Sequence, residues 1–182
     1  MAFYDYSGTL ADWVMAGSAF YAAWNARSWF KQSQINLGFE QANNFILNLE
    51  KAVLTAVNES YSIHDDIYTF RKNELNPDHD VQIRMGKKYQ DTAESVIALR
   101  VSHDNLVRMG IEEKKSIRLR LIVDNLLECA FNNQHAFYSC IYSELKNHEL
   151  ENARPLANKV DKLFKDTFKD KKAIWDFFEV SK

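Results

Sequence analysis

Glycine and proline are scarce in this chain of 182 residues, which holds 5 Gly and 2 Pro. An all-β domain needs a turn signal roughly every 8–12 residues, so punctuation this thin argues against one. Walker-type and dinucleotide-type phosphate loops need clustered glycines, and none occurs here. Cysteine is scarce as well, with only Cys129 and Cys140. On one helix they would lie about 16 Å apart, too far for a disulfide, so both read as small core residues. No excess of one charge exists either: the formal net charge is −2, whereas nucleic-acid-binding domains are usually strongly basic. No secretory leader pattern is visible, and a reducing, cytoplasmic setting is the expectation.

What the chain does have is apolar and aromatic side chains: 46% hydrophobic and 13% aromatic residues, with 4 Trp, 12 Phe and 8 Tyr. The few punctuation marks suggest a plan. Residues 1–8 read as an extended lead and Thr9 as a cap for a helix from Leu10 to Ile35. A break is expected at Asn36–Gly38. A second helix should run from Phe39 to Leu75 on the stripe Phe39, Ala42, Ile46, Leu49, Val53, Ala56, Ile63, Ile67 and Phe70. Pro77 ends it near Asn76–Asp78, because proline lacks an N–H and disfavours helix at the preceding residue. A third covers Asp80–Met109, on a stripe that includes Val81, Met85, Tyr89, Val96, Leu99, Leu106 and Val107, and Gly110 closes it.

A fourth helix is expected over Glu112–Glu151, with the two glutamates in its first turn, a stripe through Ile141 and Leu145, and a break near Asn132–Asn133. Pro155 begins a last amphipathic stretch, and Ala173–Phe178 is apolar enough to fold back. The fold class is therefore all-α: an up-and-down antiparallel bundle of about four to six helices. Residues 1–37 form an apolar N-terminal helix and residues 38–182 the bundle.

The searches for chemistry return little. A dimetal bundle needs Glu-x-x-His on two helices. The residues three before His64, His79, His103, His135 and His148 are Tyr61, Asn76, Arg100, Asn132 and Leu145, so the motif is absent. Zinc spacing is absent too. No metal or other cofactor is expected. Glu59, Asp65 and Asp66 read as a solvated helix face. Arg100, Arg108, Lys114 and Lys115, with Arg118 and Arg120, gather around a helix corner. A water-exposed turn is the simple account, and a patch for an anionic partner is the functional one.

Phe70-Arg71-Lys72-Asn73 followed by His79 resembles the Arg-polar and His pair of HEPN-type helical ribonucleases, over about ten residues. The resemblance implies an RNase acting across a dimer with Arg71, Asn73 and His79. The interval of eight residues, with Pro77 inside it, departs from that family's shorter spacing.

The unusual segment lies near the N-terminus. From Trp13 to Ala26 no residue is charged, and Asp12 and Arg27 bound the stretch. Fourteen residues give only about 21 Å of helix, against a bilayer core of about 30 Å. Mean hydropathy over the whole chain is −0.41. Trp13, Phe20, Tyr21, Trp24 and Trp29 can each bury about 150–250 Å². Three functional expectations follow. The first is a non-enzymatic interaction protein (small subunit, adaptor or inhibitor) that binds another protein, or a second copy, through aromatic helix faces. The second is a membrane-associated protein anchored through residues 10–30, at the periphery or in the bilayer. The third is the helical RNase.

Overall fold

The computed structural model describes the backbone of residues 3–73, 79–142, 148–171 and 173–180, and their side chains outside 3–13, 73, 79–82 and 140–142. Of the described residues, 88% are helical. Four helices pack together: α1 (Phe3–Asn73), α2 (His79–Arg108), α3 (Leu119–Tyr142) and α4 (His148–Phe168). A 3-10 turn at Ile174–Asp176 and two short strands, β1 (Ile111–Glu113) and β2 (Phe178–Val180), complete the order. The all-α bundle expected from the sequence is the observed architecture, with four helices.

The first surprise is α1. It runs unbroken for 71 residues, about 105 Å at 1.5 Å per residue. The expected extended lead and the break at Asn36–Gly38 are both absent. Gly38 is a contact point and not a stop. A Cβ built there would lie 2.8 Å from Cγ1 of Ile111, so glycine is what lets the β1 turn pack against the helix. Gly86 does the same inside α2, where an added Cβ would sit 3.0 Å from the Tyr138 hydroxyl. The expected proline break at Asn76–Asp78 lies outside the described residues.

The expected fourth helix is divided differently. Residues 111–113 form a strand because Ile111, Glu112 and Glu113 pair antiparallel with Val180, Glu179 and Phe178. Helix α3 passes through Asn132 and Asn133 without a break. Helix α4 starts at His148, ahead of Pro155, which lies inside it. Gly110 closes the end of α2 as expected, in the left-handed region with φ 75°, where glycine is at ease.

The core has two apolar clusters. The larger packs Phe45, Leu49 and Val53 of α1 against Val96 and Leu106 of α2, Ile122 and Leu126 of α3 and Val160 of α4. The smaller packs Ile63, Ile67 and Phe70 against Tyr89, Phe137 and Leu150. Between them lies a polar layer. The Ser60 hydroxyl donates to Asn133 Oδ1 at 2.9 Å, and the Asn133 amide donates to the Ala56 carbonyl at 3.1 Å. Ser60 Oγ also lies 3.3 Å from Cys129 Sγ. Beside them Thr92 donates to Glu59 Oε1 at 2.7 Å.

The end of the bundle nearest Gly38 is closed by the chain's tail. Trp175 lies against Phe39 with ring centroids 4.1 Å apart and the rings tilted by 55°, and Phe177 and Phe178 are buried. Ala173–Phe178 therefore folds back, as its apolarity suggests.

Candidate functional site

The bundle leaves one half of α1 uncovered. Every residue from 14 to 34 is exposed, and Gly38 is the first buried position along the helix from there. Residues 14–37 thus stand away from the bundle as an arm about 35 Å long. Its large side chains face solvent: Phe20 71%, Tyr21 69%, Trp24 63% and Trp29 65% exposed. Val14, Met15 and Phe30 are open to a similar degree. The Trp13 side chain lies outside the described residues.

Successive residues are turned by about 100° around a helix axis. Phe20, Tyr21, Met15 and Phe30 therefore point to different sides, and the uncharged stretch of the arm is apolar around its circumference, while Lys31, Gln32, Ser33, Gln34 and Asn36 make the part next to the bundle polar. A helix apolar all round is normally buried in a large core or in lipid. The ring contacts found on the arm are local, between Phe20 and Trp24 at 6.3 Å and between Trp29 and Phe30 at 5.2 Å. Two of its serine hydroxyls are satisfied locally as well. Ser18 donates to the Met15 carbonyl at 2.9 Å and Ser28 to the Asn25 carbonyl at 3.0 Å.

The structure brings most of the basic group to the root of this arm. Arg108, Lys114 and Lys115 sit on or beside the α2–β1–α3 turn, whose Ile111 packs over Gly38. Lys114 donates to the Trp175 carbonyl. Arg100 lies further up α2 and pairs with Asp124 at 3.3 Å, so it is not part of that group. Arg120 is engaged with Asp104 and with Asp124. Burial pushes the Glu113 carboxyl up, but the neighbouring His103 ring and the Arg120 N–H outweigh it and hold the carboxyl below its ordinary range. That N–H is 3.1 Å from Glu113 Oε2. Glu113 thus caps the start of α3 from outside the helix, using the dipole that favours anions there.

Other candidates give less. Arg71 is half-buried near the end of α1, while the Asn73 and His79 side chains lie outside the described residues. Among the described residues no group of three or more His, Cys, Asp or Glu is placed to hold a metal ion. Cys129 is free and buried, and burial pushes its thiol up, the opposite of a reactive thiolate. The Cys140 side chain lies outside the described residues. Glu59, read from sequence as a solvated carboxylate, is only 3% exposed. A cleft of about 480 Å³ between α1 and α2 is lined by Lys51, Thr55, Asp91, Thr92 and Ser95 among others, a mixed polar surface with no convergence on one charge.

Among the described residues no helix is long and apolar enough to cross a membrane. No protein-family model, no curated protein and no solved structure matches the chain.

Proposed function

We propose that this chain is a non-enzymatic attachment module, a folded helical bundle that fastens itself to a larger apolar body through its N-terminal arm. One observation carries the reading: residues 14–34 are exposed on every face although their aromatics are among the largest side chains in the chain. At about 25 cal/mol per Å² of apolar surface, covering five such side chains would be worth on the order of 15 kcal/mol or more, comparable to a whole domain's stability. Among the described residues, nothing of the bundle covers them. A single helix partner covers one stripe, so the occupant must surround the arm: a sheath of several helices or a lipid phase. The polar layer around Ser60, Asn133 and Cys129 bonds largely to itself and to backbone, which is the behaviour of a structural element.

The test is the double substitution Phe20→Ser and Trp24→Ser in the full-length protein. Both side chains lie off the bundle, so its melting curve should not move. The wild type should be found in an assembly or a particulate fraction, and the variant as a dispersed monomer by size-exclusion light scattering. A wild type that is itself a dispersed monomer under all conditions would remove the reading.

A further inference from the structure

Resting on that reading, we infer that the occupant of the arm is a lipid bilayer carrying anionic headgroups, with the root end of the bundle seated on its surface. Four observations converge. The uncharged stretch of the arm is apolar around its circumference, which lipid covers and a single protein groove does not. Between Asp12 and Arg27 no residue is charged. The charges that set register and partner in a helical zipper are therefore missing where they would be needed.

Two of the arm's serine hydroxyls are also already spent on its own backbone: Ser18 on Met15 and Ser28 on Asn25. A helix in a medium without hydrogen-bond partners requires that internal satisfaction. Finally, the apolar stretch ends towards the bundle in Trp24, Trp29 and Phe30 interleaved with Arg27 and Lys31. Aromatic rings beside cations are the side chains that settle at headgroup depth.

The root end extends this boundary. Arg108, Lys115 and Arg118 are exposed on the turn next to Gly38. Trp175, 58% exposed, lies against Phe39 at the same level. Glu40, Glu112, Asp176 and Glu179 lie at the same end and offset these cations, and the chain as a whole carries −2. The attraction for anionic headgroups thus rests on the placement of Arg27 and Lys31 where the apolar stretch ends, with Arg108, Lys115 and Arg118 exposed beyond them, and not on the net charge of that end. The uncharged stretch, about 21 Å long, is shorter than the hydrocarbon core of about 30 Å. The arm embeds without needing to traverse.

The experiment is flotation of purified full-length protein with vesicles of pure phosphatidylcholine and of phosphatidylcholine with 30% phosphatidylserine. Intrinsic tryptophan fluorescence is recorded alongside. The wild type should float with the anionic vesicles and shift its emission to the blue, and Phe20→Ser with Trp24→Ser should lower partitioning at least tenfold. The pair Lys115→Glu and Arg118→Glu should lower it only on the anionic vesicles, by at least the roughly fivefold per cation expected near such a surface. Circular dichroism melts of both variants should match the wild type. Equal binding to neutral and anionic vesicles would overturn the role of the basic end.

A wild type that floats with neither, yet forms a discrete oligomer dispersed by the arm substitutions, would overturn the lipid occupant and leave the attachment reading standing. A wild type that neither floats nor assembles would end both.

Discussion

The Thr92 hydroxyl donates to Oε1 of Glu59 at 2.7 Å, while Oε2 of the same carboxyl is buried with no hydrogen-bond partner among the described residues. Burial raises the Glu59 pKa from 4.5 to about 7, against the lowering effects of Thr92 and Lys88. The folded chain therefore keeps a proton that the unfolded chain gives up. The stability tied to that proton is fully present below pH 4.5 and is lost as pH rises through about 7. The span corresponds to roughly 3 kcal/mol. Glu59→Gln should be more stable than the wild type at pH 8 by roughly 1–3 kcal/mol, with the gap closing near pH 4. Urea denaturation at several pH values reads this directly, and an unchanged pH slope in the variant would refute it.

Asn133 is fully buried and holds two elements together, accepting from Ser60 and donating to the Ala56 carbonyl. Asn133→Ala removes both bonds and leaves a cavity in the middle of the bundle. A loss of roughly 2–4 kcal/mol is expected, seen as a lower urea midpoint with an unchanged slope. A loss under half of that would mean that the layer has water or slack in it.

Alanine normally stabilises a helix relative to glycine by about 1 kcal/mol. At Gly38 the sign should reverse, because the new Cβ would meet Ile111 at 2.8 Å, and overpacking costs about 1–3 kcal/mol. Gly17 provides the contrast. Nothing lies within 4 Å of an added Cβ there, so Gly17→Ala should raise helicity without lowering the melting temperature. Thermal melts of the two variants side by side decide the matter.

Gly110→Ala should also destabilise, for a different reason. Its φ of 75° costs an L side chain about 1–2 kcal/mol. Gly110→Asn should recover part of the loss, since asparagine tolerates that region better. Equal melts for the two variants would contradict a purely conformational cause.

Much of the fold could be read directly because local signals and tertiary packing agree. The stripe through Ala42, Leu49, Val53, Ala56, Ile63, Ile67 and Phe70 is the buried face of α1. The α2 stripe through Tyr89, Val96, Leu99 and Leu106 is buried as well, although Val107 is 45% exposed. Failures cluster where a distant segment decides. Gly38 looks like a stop until Ile111 is known to lie across it. Glu112 and Glu113 look like the first turn of a helix until Phe178–Val180 supplies a strand partner far along the chain.

Even so, Glu113 serves the α3 N-terminus from its strand, by accepting from the Arg120 N–H. Asparagine in a helix reads as a breaker, and what keeps Asn133 helical, its partners Ser60 and Ala56, lies on another helix. For the candidate site, the aromatic and uncharged composition of residues 13–26 picked out the segment. That it stands free of the bundle could be learned only from where the bundle ends.

The continuity of α1 across Gly38 makes arm and bundle a single rotor. Each residue inserted between Ile35 and Gly38 would turn the bundle by about 100° about the arm axis and displace it by about 1.5 Å. Seven inserted residues would bring the bundle back to within about 20° of its original heading. The heading of the bundle relative to the faces of the arm is thus indexed by residue number, much as a key's teeth are indexed by its shank.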